Sequence, residues 1–378
     1  MEVHREAVDR VSTLELFFDL VFVFTITQLT TVLVDDPTGR GLGKVVLMLG
    51  VIWWMYGGYA WLTNAVTLDR AGRRLLLLGG MAAYLVLALA IPGAFGHSGT
   101  AFGVAYLAVV GVHTTLFTRA ASLSVTQAVF GLAPFNLVSA LLVVGGGIAG
   151  GTAQYVLWAL AVVLEWATPH LIDIGGFEVG PSHFVERHGL VVIIAIGESV
   201  VAVGIGAAGL PVDTALAGVA VLGLLLSACL WWAYFAGDDT RAERALAATP
   251  PDRRPVVAVH AFGHWHLPIL FGIIAAAAGL KKATGHASHE LELAQALSLA
   301  GGVAVFLAGD VLFRRSLGIG RGAWRGAAAA LALATVPLGT ELSAVTQLAV
   351  LVALLVGALG AEARAVPATV ASRRAGAA

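Results

Sequence analysis

Residues 15–30 read ELFFDLVFVFTITQLT, a run as long as a membrane span that carries Glu15 and Asp19 near its start and Gln28 near its end. Positions i and i+4 of a helix share a face, so the two carboxyls lie on one side, which Ile26 and Thr30 continue. An acidic side chain inside a bilayer costs roughly 2.5–3.5 kcal/mol on an insertion scale. A lipid-facing helix would avoid two of them. The acidic face is therefore predicted to turn toward protein or water inside a helix bundle.

Composition agrees. Charged residues make up 12% of 378, against about 25% in a typical soluble domain, and the mean hydropathy is +0.88. Such a chain needs the bilayer as its solvent. The formal net charge of −1 says nothing about nucleic acid and no basic stretch suggests it, so no nucleic-acid partner is expected; a lone Cys229 excludes an intramolecular disulfide. The first apolar run is long, acidic at its start and without a small-residue cleavage site. It is expected to stay in place as a signal anchor.

Apolar runs of roughly 17–25 residues are the unit of counting. Twelve are found, at about 14–34, 42–64, 75–95, 100–118, 126–148, 152–172, 187–209, 212–236, 256–280, 291–313, 323–339 and 342–361. The last two are short enough to form a re-entrant hairpin instead. With twelve spans, eighteen of the 22 Lys and Arg fall on one side, leaving Arg40, Lys44, Lys281 and Lys282 on the other. Cytoplasmic loops retain the positive residues, so both termini are expected in the cytoplasm. Leu20–Ile26 aligns with Leu190–Ile196, and Trp53-Trp54-Met55-Tyr56 echoes Trp231-Trp232-Ala233-Tyr234. The expected fold is thus an all-α polytopic membrane protein of about 12 transmembrane helices. Two parallel six-helix repeats would occupy residues 1–180 and 181–361, with a disordered cytoplasmic tail at 362–378.

Four blocks carry a family resemblance: Glu15-Leu-Phe-Phe-Asp19, Ile91-Pro-Gly-Ala-Phe-Gly96, His183-Phe-Val-Glu-Arg-His-Gly-Leu190 and Ile196-Gly-Glu-Ser-Val-Val201. The chain resembles the bacterial low temperature requirement protein A (LtrA) family. The resemblance implies a multi-pass protein of the bacterial plasma membrane and no catalytic residues to transfer. Asn64-Ala-Val-Thr-Leu-Asp69 departs from the family's pattern, lacking the Arg-Phe-Asp run expected after the second span.

With this orientation, nearly every intramembrane ionisable group falls in the cytoplasmic half. Glu15 and Asp19 enter with span 1; His113 lies roughly 9 Å inside the end of span 4. Glu165, His170 and Asp173 end span 6, while Glu186, Arg187 and His188 follow His183 at the start of span 7. Glu198, roughly 18 Å beyond Glu186 along the helix, is the deepest. Burial without a neighbouring cation favours the neutral form of a carboxyl, which suits a proton relay or an ion site. Gly197 and Gly204, seven apart, offer a face that another helix could approach. The plainer readings are an ion pair of Glu15 and Asp19 with Arg187 or Arg10, and a hydrogen-bonded, protonated Glu198. His260 and His264 have a spacing that suits metal, but such histidines more often form interfacial hydrogen bonds. No metal or cofactor is assigned. The Trp and Tyr residues of spans 2 and 8 read as packing and interfacial aromatics, with an aromatic ligand funnel as the minority alternative.

The leading function is a secondary transporter or ion-conducting protein with a cytoplasm-facing polar vestibule. Glu15 and Asp19 would stand at its mouth, Arg187 as a carboxylate or anion contact, and Glu198 as the proton-binding group. Its partners would be the lipid bilayer, a small ion or solute, and further copies of itself. A membrane enzyme acting on lipid-linked substrates and a non-catalytic structural or sensory protein are the alternatives.

Overall fold

The computed structural model describes residues 11–66, 70–120, 123–172, 174, 177 and 179–375, and contains helices but no strand among them. The first helix, α1 (Thr13–Asp35), begins where Ser12 and Glu15 form a reciprocal capping box, so two of its free N–H groups are satisfied locally. Its 23 residues reach roughly 35 Å, enough to cross a bilayer. Phe18, Asp19, Phe22, Thr25, Ile26, Leu29 and Thr30 form its buried side, as the acidic-face reading predicts.

Helices α2 (Gly39–Ala65), α3 (Ala71–Ala90), α4 (Gly99–Ala120), α5 (Leu123–Ala149) and α6 (Gly151–Leu171) follow. Gly150 and Gly151 turn the chain between α5 and α6 at φ of 65° and 55°, a region that glycine enters without steric cost. The two glycines thus join α5 to α6 by a tight turn. Then come α7 (Pro181–Gly206), α8 (Thr214–Phe235), α9 (Asp238–Ala248) and α10 (Arg254–Ala258), the last continuing into a π-helical turn over Val259–His264. The chain ends with α11 (His266–Gly285), α12 (Leu293–Ser316), α13 (Ala323–Leu333), α14 (Val336–Glu341) and α15 (Ala344–Ala375).

Ten helices among the described residues are long and apolar enough to cross a membrane. Two of the twelve expected spans account for the difference. One is α6, which at 21 residues is long enough but is made more polar by Gln154, Glu165 and His170. The other is the span at 323–339, which is divided into α13 and α14. Pro337 has no N–H and its ring clashes with the carbonyl four residues back, and α13 indeed stops at Leu333. The run at 342–361 forms α15, which continues to Ala375.

The chain divides into two compact units, Met1–Ala195 with Asp238–Leu267 and Ile196–Gly237 with Pro268–Ala378. The first has an aromatic core. Phe18 stacks on Tyr59 at 4.9 Å and meets Tyr84 edge-on at 5.3 Å, while Phe22 lies 4.3 Å from Tyr56. The second relies on close backbone contact between α11 and α12. A Cβ on Gly272 would lie 2.5 Å from Phe306 N, and one on Gly302 2.2 Å from Ala276 N. Gly197 and Gly204, expected to serve this purpose, meet nothing within 4 Å. A seven-residue spacing offers a smooth face but does not supply the partner.

These contacts separate glycines of one sequence type. Gly302→Ala should lose about 1–3 kcal/mol through overpacking, whereas Gly204→Ala should be neutral or gain up to about 1 kcal/mol of helix propensity. Thermal unfolding of the purified protein in detergent measures both, and equal losses would contradict the assignment.

Candidate functional site

The Ser12 cap determines what Glu15 can do. Its Oε2 accepts the Ser12 N–H at 2.7 Å and the Ser12 hydroxyl at 2.8 Å, which leaves Oε1 to face α7. There His183 Nε2 lies 3.0 Å from Oε1 and Arg187 Nη1 3.1 Å from it. One turn further along α1, Asp19 Oδ1 takes Arg187 Nη2 at 3.0 Å and the Tyr56 hydroxyl at 3.1 Å. The network therefore rests on two i, i+4 pairs, Glu15 with Asp19 and His183 with Arg187, on helices that face each other. Asn64 fixes the histidine: its amide N–H donates to His183 Nδ1 at 3.4 Å, which leaves Nε2 to donate to Glu15. Asn64 also accepts the Gly180 N–H at 3.0 Å, holding the start of α7 against the end of α2.

Water is excluded from this cluster. Asp19 is 0% exposed, Arg187 1%, and Glu15 and His183 4% each. Arg187 Cζ lies 5.5 Å from the Phe18 ring and 5.9 Å from that of Tyr56, so aromatic faces cover the guanidinium. Two carboxylates nevertheless share one guanidinium. Asp19 Oδ2 and Arg187 Nε have no hydrogen-bond partner among the described residues.

The other residues singled out in the sequence go elsewhere. Glu186 is exposed and accepts the Val11 N–H at 3.4 Å. His188 is buried, bonded to Phe184 O at 2.8 Å and packed 5.0 Å from Phe262 and 5.5 Å from His266. Glu165 receives the hydroxyls of Tyr106 and Ser139. His113 lies 5.4 Å from Tyr59, and His170 is grouped with His260 and His264. Glu198 is 5% exposed and lies in the second unit. Asp173 and Thr67–Asp69 fall outside the described residues.

A cavity of about 90 Å³ opens within the first unit, with Trp53, Trp54, Trp61, Trp166, His113 and His264 among its walls. Trp54 Nε1 donates to Asn136 Oδ1 at 2.9 Å at its edge. The span 2 tryptophans thus line a hollow, whereas Trp231 and Trp232 are exposed, at 39% and 57%.

His183, Tyr56 and Asn64 join the site in the structure, and of the three only His183 carries a sequence signal, its i, i+4 spacing from Arg187. Arg314 and Arg325 are among the eighteen positive residues that the span count places on the cytoplasmic side. Both are buried in the second unit, where Arg325 Nη1 meets Asp310 at 2.6 Å and Arg314 Nη1 meets Glu362 at 2.5 Å. Arg325 also donates to Ala233 O at 2.7 Å.

Residues 10–359 match the bacterial low temperature requirement A protein family. The chain belongs to that family. It is 30% identical over 315 residues to an uncharacterised protein of Rhizobium meliloti (strain 1021), covering 80% of this chain and 76% of that one. No solved structure matches it. Two of the LtrA-like blocks meet in the network, since the opening block supplies Glu15 and Asp19 and the third supplies His183 and Arg187. The Ile91–Gly96 block lines a second cavity, of about 310 Å³, beside Asp36 and Lys44. Lys44 Nζ at 2.7 Å and the Thr38 hydroxyl hold the Asp36 carboxyl below its ordinary range.

Removing Arg187 from this LtrA-family protein leaves two buried carboxylates without their cation. Arg187→Met should cost about 3–5 kcal/mol, and adding Asp19→Asn should restore part of it. Unfolding midpoints of the single and double variants test this; a double variant no better than the single would show that charge is not the cause.

Proposed function

We propose that this LtrA-family membrane protein is a secondary transporter or ion-conducting protein of the bacterial plasma membrane, with Asp19 as the group that takes up and releases a proton. The observation that carries this reading is the imbalance in the buried network. Asp19 and Glu15 share Arg187, and one Asp19 oxygen makes no hydrogen bond. Intramembrane ionisable groups are costly and commonly mark ion pathways or proton relays. A proton on Asp19 would leave Arg187 to Glu15 alone, so loading and unloading can shift the contact between α1 and α7. Glu198, further along the same helix, is assigned as a second proton-binding group. Arg187, whose Nη atoms meet Glu15 and Asp19, is the contact for an anionic solute or a substrate carboxylate once a proton on Asp19 releases one of them.

The same reading takes twelve spans, with α6 and the α13–α14 pair both crossing, cytoplasmic termini, and two parallel six-helix repeats. It takes a small ion or solute as the cargo and leaves room for assembly with further copies. A membrane enzyme acting on an apolar or lipid-linked substrate is the second reading, favoured by the aromatic cavity and the histidines at its rim.

Flux into proteoliposomes holding the purified protein tests the first reading, with H⁺, K⁺, Na⁺ and common anions scanned in turn. Wild type should conduct or exchange at least one of them. Asp19→Asn and Glu198→Gln, which retain shape while removing the proton site, should lower that flux at least ~10-fold. Folded wild-type protein that moves none of these ions, or variants that move them unchanged, would overturn the assignment.

A further inference from the structure

Three histidines stand apart from the carboxylate network. His170, near the end of α6, and His260 and His264, in the π-helical turn, each bring a ligand nitrogen to within 4.8 Å of the others. Their ring centroids lie 5.4 to 5.9 Å apart. The sequence contains only a pair at i and i+4; the fold adds the third from another helix. His266, two residues on, is not part of the group. Its Nδ1 lies 3.0 Å from Ala261 O and its ring faces Trp53 and Phe262.

Two features hold the cluster in place. The π-helical turn exposes the Gly263 carbonyl, which accepts the Trp53 indole N–H at 2.6 Å. Such turns occur mostly as single-turn bulges and frequently at functional sites. Trp166 stacks on His264 with ring centroids 4.8 Å apart and planes 19° from parallel. His264 Nε2 is buried and has no hydrogen-bond partner among the described residues. It is an orphaned, potentially ligating nitrogen inside a group of imidazoles. His264 and Trp166 also line the aromatic cavity.

Imidazole nitrogens select borderline transition metals, whereas Mg²⁺ and Ca²⁺ take oxygen ligands. Three imidazoles around Zn²⁺, with bonds of about 2.0–2.1 Å, leave a fourth position open to water or a small ligand. Tetrahedral geometry at that bond length sets the nitrogens about 3.4 Å apart. From the 4.8 Å limit this takes only small side-chain rotations. We infer that His170, His260 and His264 form a binding site for one divalent transition-metal ion of the Zn²⁺ class. The alternative is three stacked imidazoles that bind nothing.

The test uses full-length protein in detergent, freed of any affinity tag and treated with chelator. Zn²⁺ is titrated by calorimetry and Co²⁺ by visible absorption. One equivalent should bind per chain, with the intense Co²⁺ bands of a four- or five-coordinate site. His260→Ala or His264→Ala should weaken binding at least ~100-fold, since loss of an outer-shell partner alone commonly costs 10–100-fold. His286→Ala and His289→Ala, at exposed positions, should leave it unchanged. Wild type supplies a readout that needs no ligand variant: Zn²⁺ should raise the unfolding temperature, and Co²⁺ should quench a fluorescence component that Trp166→Phe removes. Absence of stoichiometric binding, a weak octahedral Co²⁺ spectrum, or affinity unchanged in both histidine variants would overturn the site.

Discussion

A guanidinium and two carboxylates share a space that water does not enter, and the first compact unit is arranged around that constraint. Removing a charge from water costs several kcal/mol per ion even after relaxation, and only close, well-aligned partners offset it. Arg187 meets Glu15 and Asp19 at 3.1 and 3.0 Å. Those distances fix both the rotation of α1 and its height against α7. A residue's shift along an α-helix turns it by about 100°, which would carry both carboxyls off the shared face. Apolar packing alone tolerates such slippage more readily, because one leucine or phenylalanine resembles the next. The charge network therefore contributes register more than it contributes stability.

The second unit meets the same constraint differently. Among the described residues its two buried guanidiniums face two carboxylates: Arg325 meets Asp310 at 2.6 Å and Glu362 at 2.8 Å, and Arg314 meets Glu362 at 2.5 Å. In the first unit one guanidinium serves two carboxylates. That difference in the ratio of cations to carboxylates is what the proposed proton site rests on.

Much of this was legible in the chain. The i, i+4 carboxyls on an apolar run predicted which side of α1 is buried, and Arg187 was among the cations considered for them. Register between distant helices is a three-dimensional outcome, so Tyr56 and Asn64 gave no comparable signal. Arg314 and Arg325 were misread for a different reason. Arginines at span ends normally belong to loops, and only the folded positions of Asp310 and Glu362 reveal that these two are buried. His170 and the His260–His264 pair were each visible, but their convergence depends on a π-helical turn that the apolar pattern does not encode. The expected role of Gly197 and Gly204 failed similarly, because small residues permit a close contact without specifying it.

The separation of the network's two sides along the chain bears on how the protein is made. Glu15 and His183 lie 168 residues apart. At about 5–20 residues per second, roughly 10–30 s pass between synthesis of the acidic helix and synthesis of its cation. During that interval α1 must wait with two carboxyls and no Arg187. A carboxyl without its cation is tolerated there in its neutral form or at the polar membrane surface until α7 emerges. Closure of the α1–α7 network therefore waits on translation of α7, about halfway along the chain.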